Sequence, residues 1–184
     1  GCKVGIPGWV NVENAIAASA IALTYGIAPE KVKAALAAFQ GVKRRFDIHV
    51  NTPECSYIDD YAHHPTEIKA ALAAAANYPH DRVWCIFQPH TFTRTKALMK
   101  EFAEALTHTD ITILAKIYPA RETDDLGISS ATLQKEIRAL GHDCLYFENF
   151  EEIEEYVRQN CRKGDLVITM GAGDVFKIGE NLLS

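Results

Sequence analysis

Four short segments of this sequence combine carboxylate, imidazole and guanidinium groups, which are side chains that bind and activate polar small molecules. They lie at 59–67, 88–94, 116–122 and 171–174. Histidine gains and loses protons near neutral pH, and arginine binds a carboxylate or phosphate through two parallel hydrogen bonds. A glycine turn lets the backbone approach a ligand closely. These residue types indicate a site for an anionic substrate, provided that the fold brings the segments together.

Each of the four segments follows a short apolar stretch that is typical of a strand. We predict strands at 45–51, 56–59, 82–88, 111–115, 144–147 and 166–170. Residues 83–87 are continuously apolar, as expected for a strand buried on both faces. Helical spacing predicts helices at 65–77, 93–106, 129–140, 150–160 and from 174 onward. Repeated strand–helix units imply an α/β fold, with a mostly parallel sheet and helices on both of its faces.

The topology of such a sheet would gather the four polar segments along one edge. Ligands of open α/β sheets bind beyond the carboxyl ends of the strands, and all four segments follow such ends. His63, His64, His90 and Arg94 would then face one cleft, together with acidic residues and a glycine turn. This expected convergence is the main evidence for a site in the residues themselves.

The first 41 residues have a different pattern. Helices are predicted at 11–25 and 29–39, with Gly26 ending the first and Pro29 starting the second. This hairpin has no sheet to cover. We therefore expect residues 1–41 to be the tail of a preceding domain and residues 42–184 to form a domain of their own.

Charge and cysteine usage exclude several classes of protein. The net charge of -5 gives no reason to expect binding to nucleic acid or to an anionic membrane, although Lys43, Arg44 and Arg45 form a candidate patch for phosphates. Five widely spaced cysteines without a Cys-x-x-Cys pair fit reduced thiols in a cytosolic protein. We find no signal peptide and no apolar run of the roughly 20 residues that cross a bilayer. Because the chain opens at Gly1 without Met, we expect upstream sequence to be missing.

The residues alone leave other interpretations open. Asp59, His63, His64 and His90 could form a zinc site, although adjacent histidines point to different sides of a chain and no spacing matches a His-Glu-x-x-His framework. The glycine segment 171–174 could be a plain strand-to-helix turn, because it lacks the third glycine of a dinucleotide fingerprint. Covalent catalysis is disfavoured, since no Gly-x-Ser-x-Gly elbow is present and no cysteine lies in an evident electropositive turn.

Two of the polar segments resemble motifs of the Mur ligase family. They are residues 59–67 and 87–95, and stretches 11–15, 41–46 and 170–174 support the resemblance. The resemblance runs in order along nearly the whole chain. It implies an ATP-dependent amide-bond ligase of peptidoglycan synthesis, built from a UDP-sugar domain, a central ATPase domain and a Rossmann-like C-terminal domain.

Within the family, the resemblance is to members that join L-alanine to UDP-N-acetylmuramate through an acyl phosphate. The sequence contains no Gly-x-x-x-x-Gly-Lys-Ser/Thr phosphate loop. The resemblance therefore implies that residues 1–41 are the last helices of the central domain and 42–184 the C-terminal domain. We expect the isolated chain to be inactive, with ATP and Mg²⁺ as cofactors and Mg²⁺ bound mostly by the missing central domain.

The resemblance also implies roles for individual residues. Asn11 and Asn14 match asparagines that contact adenine, and their spacing puts both side chains on one helix face. Arg45 and Asp60 match positions that hold the ribose and phosphates of the nucleotide. These four residues are the expected cofactor-binding residues.

The remaining matches form the expected pocket for alanine: Tyr61, His63, His90 and Arg94. Arg94 would bind the alanine carboxylate, and His63 or His90 would orient or deprotonate the amine. The sequence departs from the family at two positions. Val10 replaces a common histidine, and Thr91 replaces a common arginine, which removes one possible carboxylate contact.

Two other functions remain to be weighed against this one. A stand-alone module could bind a nucleotide or an amino acid without catalysis. The related ligase that recycles cell-wall peptides has a motif similar to 59–67, but the resemblance implies that it lacks the Gln-Pro-His…Arg segment found here at 88–94.

Overall fold

The computed structural model describes residues 1–6, 8–52 and 54–184, which form two compact units. The first unit is Gly1–Lys43 and the second is Arg44–Ser184. The division therefore lies between residues 43 and 44, whereas the sequence placed it between residues 41 and 42. The assignment of the first unit to a central ATPase domain stays a prediction.

The first unit is a helical hairpin that buries little of its own surface. Helix α1 is Trp9–Thr24 and α2 is Pro29–Ala38, close to the predicted bounds. Gly26, with a φ of 77°, follows α1, and a proline begins α2. Within these two helices only Ala15 is buried. The large apolar side chains that stay exposed in this unit are Trp9, Val10, Ile16, Ile21, Leu23, Tyr25, Ile27, Phe39 and Val42.

The second unit is built on a six-stranded sheet. The strands are β1 Asp47–Asn51, β2 Cys55–Asp60, β3 Arg82–Phe87, β4 Ile111–Leu114, β5 Cys144–Tyr146 and β6 Asp165–Met170. Their order across the sheet is β1-β2-β6-β3-β4-β5. Only β1 is antiparallel to its neighbour, and the other pairs are parallel. The predicted α/β fold with a mostly parallel sheet is confirmed.

Helices cover both faces of this sheet. They are α3 Pro65–Ala75, α4 Phe92–Ala97, α5 Met99–Leu106, α6 Ser130–Ala139, α7 Phe150–Asn160 and α8 Phe176–Leu183. One core contains apolar residues of α3, α5 and α6, and a second core contains those of α7 and α8. Neighbouring β3 residues Trp84 and Cys85 belong to opposite cores, as the alternation of strand side chains requires. None of the helices in the described part of the chain is long and apolar enough to span a membrane.

The edge strand β1 differs from its prediction. The sequence pattern predicts this strand over 45–51, with Phe46, Ile48 and Val50 half-buried. The strand begins instead at Asp47, because Phe46 has a φ of 51°, which a strand residue does not adopt. Its pairing with β2 shifts register between Ile48 and Val50, and Ile48 is exposed. The irregularity breaks the two-residue alternation on which the expectation rested.

The prediction of a single helix at 93–106 is wrong, because the helix is interrupted. The segment forms two helices, α4 and α5, separated at Leu98, whose φ and ψ are -116° and 27°. Backbone hydrogen bonds continue across the break, from the Leu98 N–H to the Arg94 carbonyl and from the Phe102 N–H to the Leu98 carbonyl. The short α4 therefore carries Arg94, while α5 carries the buried Phe102.

Candidate functional site

The carboxyl ends of four strands lie at the same level of the sheet. Asp60 at the end of β2 is paired with Met170 at the end of β6, which is in turn paired with Phe87 at the end of β3. Phe87 is also paired with Leu114 at the end of β4. The four polar segments therefore start side by side along one edge, which is called the rim below.

At the rim the His63 ring contacts two other rings, those of Tyr61 and His90. The ring centroids of Tyr61 and His63 are 5.5 Å apart, and those of His63 and His90 are 6.0 Å apart. Both pairs meet edge to face, with interplanar angles of 81° and 63°. The loops after β2 and β3 thus bring together residues that are 27 positions apart in the chain.

Arg94 joins this group through His90. Its Nη1 atom lies 3.4 Å from Nδ1 of His90, and both side chains are half-buried. No carboxylate of the described residues forms a salt bridge with the Arg94 guanidinium. The structure therefore gathers Tyr61, His63, His90 and Arg94 at one place and leaves a positive charge there for an anion.

The hydrogen bonds of the two histidines give them different tautomers. Nδ1 of His63 lies 2.9 Å from the Tyr61 carbonyl, which can only accept, so this nitrogen carries the proton. The neutral ring of His63 then has its lone pair on Nε2. A guanidinium can only donate, so Nδ1 of His90 accepts from Arg94 and Nε2 of the neutral ring carries the proton.

The surroundings of His90 favour its neutral form. Burial lowers the pKa of its imidazole, and the nearby Arg94 and His63 lower it further. Glu122 opposes this trend and raises the pKa, but its effect is the smaller one. At neutral pH His90 is therefore a hydrogen-bond donor and acceptor rather than a cation.

Asp60 supports the backbone next to the rim. Its carboxylate accepts hydrogen bonds from the Phe46 N–H at 2.6 Å and the Ala62 N–H at 2.7 Å, and burial raises its pKa. Arg45 comes directly before Phe46 in the chain. It is exposed, and its guanidinium carbon lies 5.2 Å from the centroid of the Tyr61 ring. Arg45 and Asp60 therefore lie beside the rim, and their contact with a nucleotide stays a prediction.

Arg44 has a structural function that sequence reasoning missed. Its Nε donates to Asp59 at 3.2 Å, and its Nη2 donates to the Gly171 carbonyl at 2.7 Å. Asp59 also accepts a hydrogen bond from the Thr169 hydroxyl at 2.8 Å, and Thr169 lies 2.6 Å from the Tyr57 hydroxyl. The guanidinium that was a candidate for phosphate binding is thus committed to tying the loop after β6 to the end of β2.

The glycine segment behaves as a structural turn. The side-chain carbonyl of Gln88 accepts from the backbone N–H groups of Asp174 and Val175 at 2.9 and 3.1 Å. A Cβ atom at Gly173 would lie 2.2 Å from that carbonyl oxygen. The close approach of Gln88 explains the glycine without a ligand, in agreement with the simpler of the two interpretations.

Asn11 and Asn14 lie on α1 of the first unit, three residues apart on one face. Asn14 is exposed and Asn11 is half-buried. Their predicted contact with adenine therefore stays a prediction.

The zinc alternative finds no support in the geometry. Asp59 is bound by Arg44 and Thr169, and His64 caps α3 by accepting from the Thr66 N–H. Across residues 1–6, 8–52 and 54–184, no group of three or more histidine, cysteine, aspartate or glutamate side chains is arranged to hold a metal ion.

Known proteins of similar sequence are ligases of one family. The family model described as "Mur ligase, glutamate ligase domain" matches residues 44–173. The chain is 55% identical over 180 residues to the UDP-N-acetylmuramate–L-alanine ligase of Lachnospira eligens, covering 98% of this chain and 39% of that protein. It is 49% identical over 181 residues to the enzyme of the same name from Agathobacter rectalis, covering 98% of this chain and 39% of that protein.

Solved structures give a similar result. The UDP-N-acetylmuramate-alanine ligase of Thermotoga maritima matches with a TM-score of 0.82 and 29% identity, over 99% of this chain and 39% of that one. A murein peptide ligase of Psychrobacter arcticus matches with a TM-score of 0.75 and 26% identity, over 99% of this chain and 38% of that one. The chain thus spans about two fifths of the length of the relatives it matches.

Proposed function

This chain belongs to the Mur ligase family, and we propose that it is the C-terminal part of an ATP-dependent ligase that adds L-alanine to UDP-N-acetylmuramate. The meeting of Tyr61, His63, His90 and Arg94 at the rim is the observation that carries this proposal. Residues 1–41 would end a central ATPase domain, and 42–184 would form the C-terminal domain. The reaction would take place in the cytoplasm as a step of peptidoglycan synthesis.

In this proposal the rim binds the amino acid by its two charged ends. The Arg94 guanidinium takes the carboxylate, because its planar fork matches two carboxylate oxygens. The Nε2–H of neutral His90 is available as a second donor to the same carboxylate. With Thr91 in place of the arginine common in the family, these are the two donors on which carboxylate binding depends.

His63 is the better candidate for the proton transfer. The alanine amine is protonated at neutral pH and must lose a proton before its nitrogen attacks the carbonyl carbon of the acyl phosphate. The lone pair on Nε2 of His63 receives that proton. The attack forms the new C–N bond and a tetrahedral intermediate, which then breaks its C–O bond to phosphate and releases inorganic phosphate. His90 has no lone pair free for this step while Arg94 donates to its Nδ1.

The nucleotide would be shared between this chain and the rest of the enzyme. Asn11 and Asn14 would contact adenine, and Arg45 would reach ribose or phosphate beside Asp60. Asp60 would act mainly by holding the turn that carries Arg45, since its carboxylate accepts from two backbone N–H groups. Mg²⁺ would be bound mostly by the central domain that this chain lacks, as the resemblance to the family implies.

The proposal is tested by ADP formation in the full-length enzyme with ATP and UDP-N-acetylmuramate. Adding L-alanine should start ADP release, whereas the tripeptide L-alanyl-γ-D-glutamyl-diaminopimelate should not. The isolated 184-residue chain should release no ADP with any substrate. Turnover by the isolated chain would contradict the proposal that it is only part of the site.

Two other functions have distinct outcomes in the same experiments. The match to a murein peptide ligase favours peptide recycling as a second candidate, and ADP release with the tripeptide but not with alanine would support it. A stand-alone binding module would bind ATP at micromolar concentrations in calorimetry of the isolated chain. A nucleotide site split between domains should bind much more weakly.

A further inference from the structure

The loop 116–122, which follows β4, holds the backbone beside His90. The Thr91 N–H donates to the Tyr118 carbonyl, and the Tyr118 N–H donates to the Pro89 carbonyl, both at 2.9 Å. The Tyr118 ring stacks on the His90 imidazole with a centroid separation of 5.5 Å and an interplanar angle of 18°. This loop therefore fixes the position and the plane of the imidazole.

The same loop holds the beginning of α4 through Glu122. Oε2 of Glu122 accepts from the Phe92 N–H at 2.5 Å and from the Thr93 N–H at 3.1 Å. The N–H groups of the first helical turn have no acceptors within the helix, and a carboxylate there is favoured by the helix dipole. The first turn of α4 contains no acidic residue of its own. Glu122 supplies the missing carboxylate from 30 residues away.

This contact bears directly on the rim. Arg94 follows Thr93 immediately, so the direction in which α4 leaves the rim determines where the Arg94 guanidinium lies. The His90 ring stacks on Tyr118, and its Nδ1 is contacted by Arg94 at 3.4 Å. A loop that shifts away from α4 would therefore change the distance between the two groups assigned to the amino acid.

We propose that Glu122 is a positioning residue for the incoming amino acid, holding α4 and the loop 116–122 together so that Arg94 and His90 face the same carboxylate. It does not itself touch the substrate. The proposal rests on the function proposed above. A residue that only stabilised the fold would lower the melting temperature without selective loss of alanine binding.

The test compares Glu122→Ala, Glu122→Gln and the control Glu136→Ala in the full-length enzyme. Glu136 is an exposed residue of α6. Glu122→Ala should raise the KM for alanine about tenfold, the loss expected from a charge-assisted hydrogen bond, while the KM for ATP changes less than about twofold. In Glu122→Gln the amide oxygen can accept from the same two N–H groups, so the KM for alanine should return to within about threefold of the wild type.

A second measurement reports the charge of Glu122 rather than its hydrogen bonds to α4. Glu122 raises the pKa of His90, so both substitutions should lower that pKa. NMR titration of the His90 imidazole should therefore show a lower pKa in both variants than in the wild type. Glu136→Ala should leave both the KM values and the pKa of His90 unchanged.

The outcomes are separable. An unchanged KM for alanine in a folded Glu122→Ala enzyme would overturn the positioning proposal. If Glu122→Ala does not fold, Glu122→Asp decides, because its shorter side chain keeps the charge but loses the reach to both N–H groups. An unchanged KM for alanine in Glu122→Asp would overturn the proposal, and a raised KM for alanine with an unchanged KM for ATP would support it. Failure of the proposed function would be visible earlier, because the wild-type enzyme itself would then not release ADP in response to alanine.

Discussion

Replacing Arg94 should weaken alanine binding in the full-length ligase far more than ATP binding. The Arg94 side chain is half-buried at the rim, and within the described residues no carboxylate forms a salt bridge with it. Among the residues that the structure describes, the Arg94 side chain makes one hydrogen bond, the 3.4 Å contact to His90. The substitution Arg94→Ala therefore removes a charge that is free for the substrate without breaking an ion pair of the fold.

The size of the effect follows from the interaction that is lost. A hydrogen bond to a charged group contributes about 1.5–3 kcal/mol. Since about 1.4 kcal/mol corresponds to a tenfold change, the KM for alanine should rise about 10- to 150-fold. Arg94→Lys keeps the charge but loses the planar fork, so its effect should be intermediate.

The assay is coupled ADP release at saturating UDP-N-acetylmuramate, with alanine varied at saturating ATP and then ATP varied at saturating alanine. Lys135→Ala is the matched control, because Lys135 is an exposed cation on α6. A KM for alanine within twofold of the wild type in Arg94→Ala would remove this residue from the pocket. An equal rise in both KM values would point to general disruption.

Two further predictions concern stability and can be checked on this chain. Arg82→Ala should lower the free energy of unfolding by about 3 kcal/mol, because Asp165 is buried and loses hydrogen bonds of 2.6 and 2.8 Å. Burial raises the pKa of Asp165, but the hydrogen bonds from Arg82 and Arg162 outweigh burial, so the pKa is lowered overall. The charged carboxylate therefore stabilises the fold at pH 7. Urea titrations should show a lower free energy of unfolding for Arg82→Ala than for the wild type at pH 7, and this difference should disappear as the pH falls below about 4. Gly173→Ala should cost about 1–3 kcal/mol, because its Cβ would lie 2.8 Å from the Tyr118 ring, and an unchanged melting temperature would contradict the turn described above.

The sheet could be predicted because its signal is local. Each buried strand is a short apolar run, and residues 83–87 are apolar at every position because both sheet faces are covered. The parallel order then places Asp60 and Phe87 at one level, so the rim follows from topology alone. For this reason His63, His90 and Arg94 could be expected to meet before any distance was known.

The irregular features could not be predicted in the same way. The break at Leu98 and the register shift before Val50 interrupt otherwise regular apolar patterns, and no proline or glycine marks either position. Periodicity describes an average over several residues, so it does not detect a single distorted residue.

The contacts that support the site could not be predicted from the sequence either. Arg44 bonds to a carbonyl 127 residues away, and Glu122 bonds to N–H groups about 30 residues away. Such partners are brought together only by the folded sheet. The sequence indicates only that Glu122 belongs to the polar loop after β4. It does not indicate that this residue holds α4.

A crystal structure of the full-length enzyme with L-alanine bound would decide whether the rim is the alanine pocket. We expect the alanine carboxylate to lie about 3 Å from the Arg94 guanidinium nitrogens, as charge-assisted hydrogen bonds require. We also expect the amine to face Nε2 of His63. Alanine bound away from the rim, with Arg94 and His63 both free, would show that the pocket lies elsewhere.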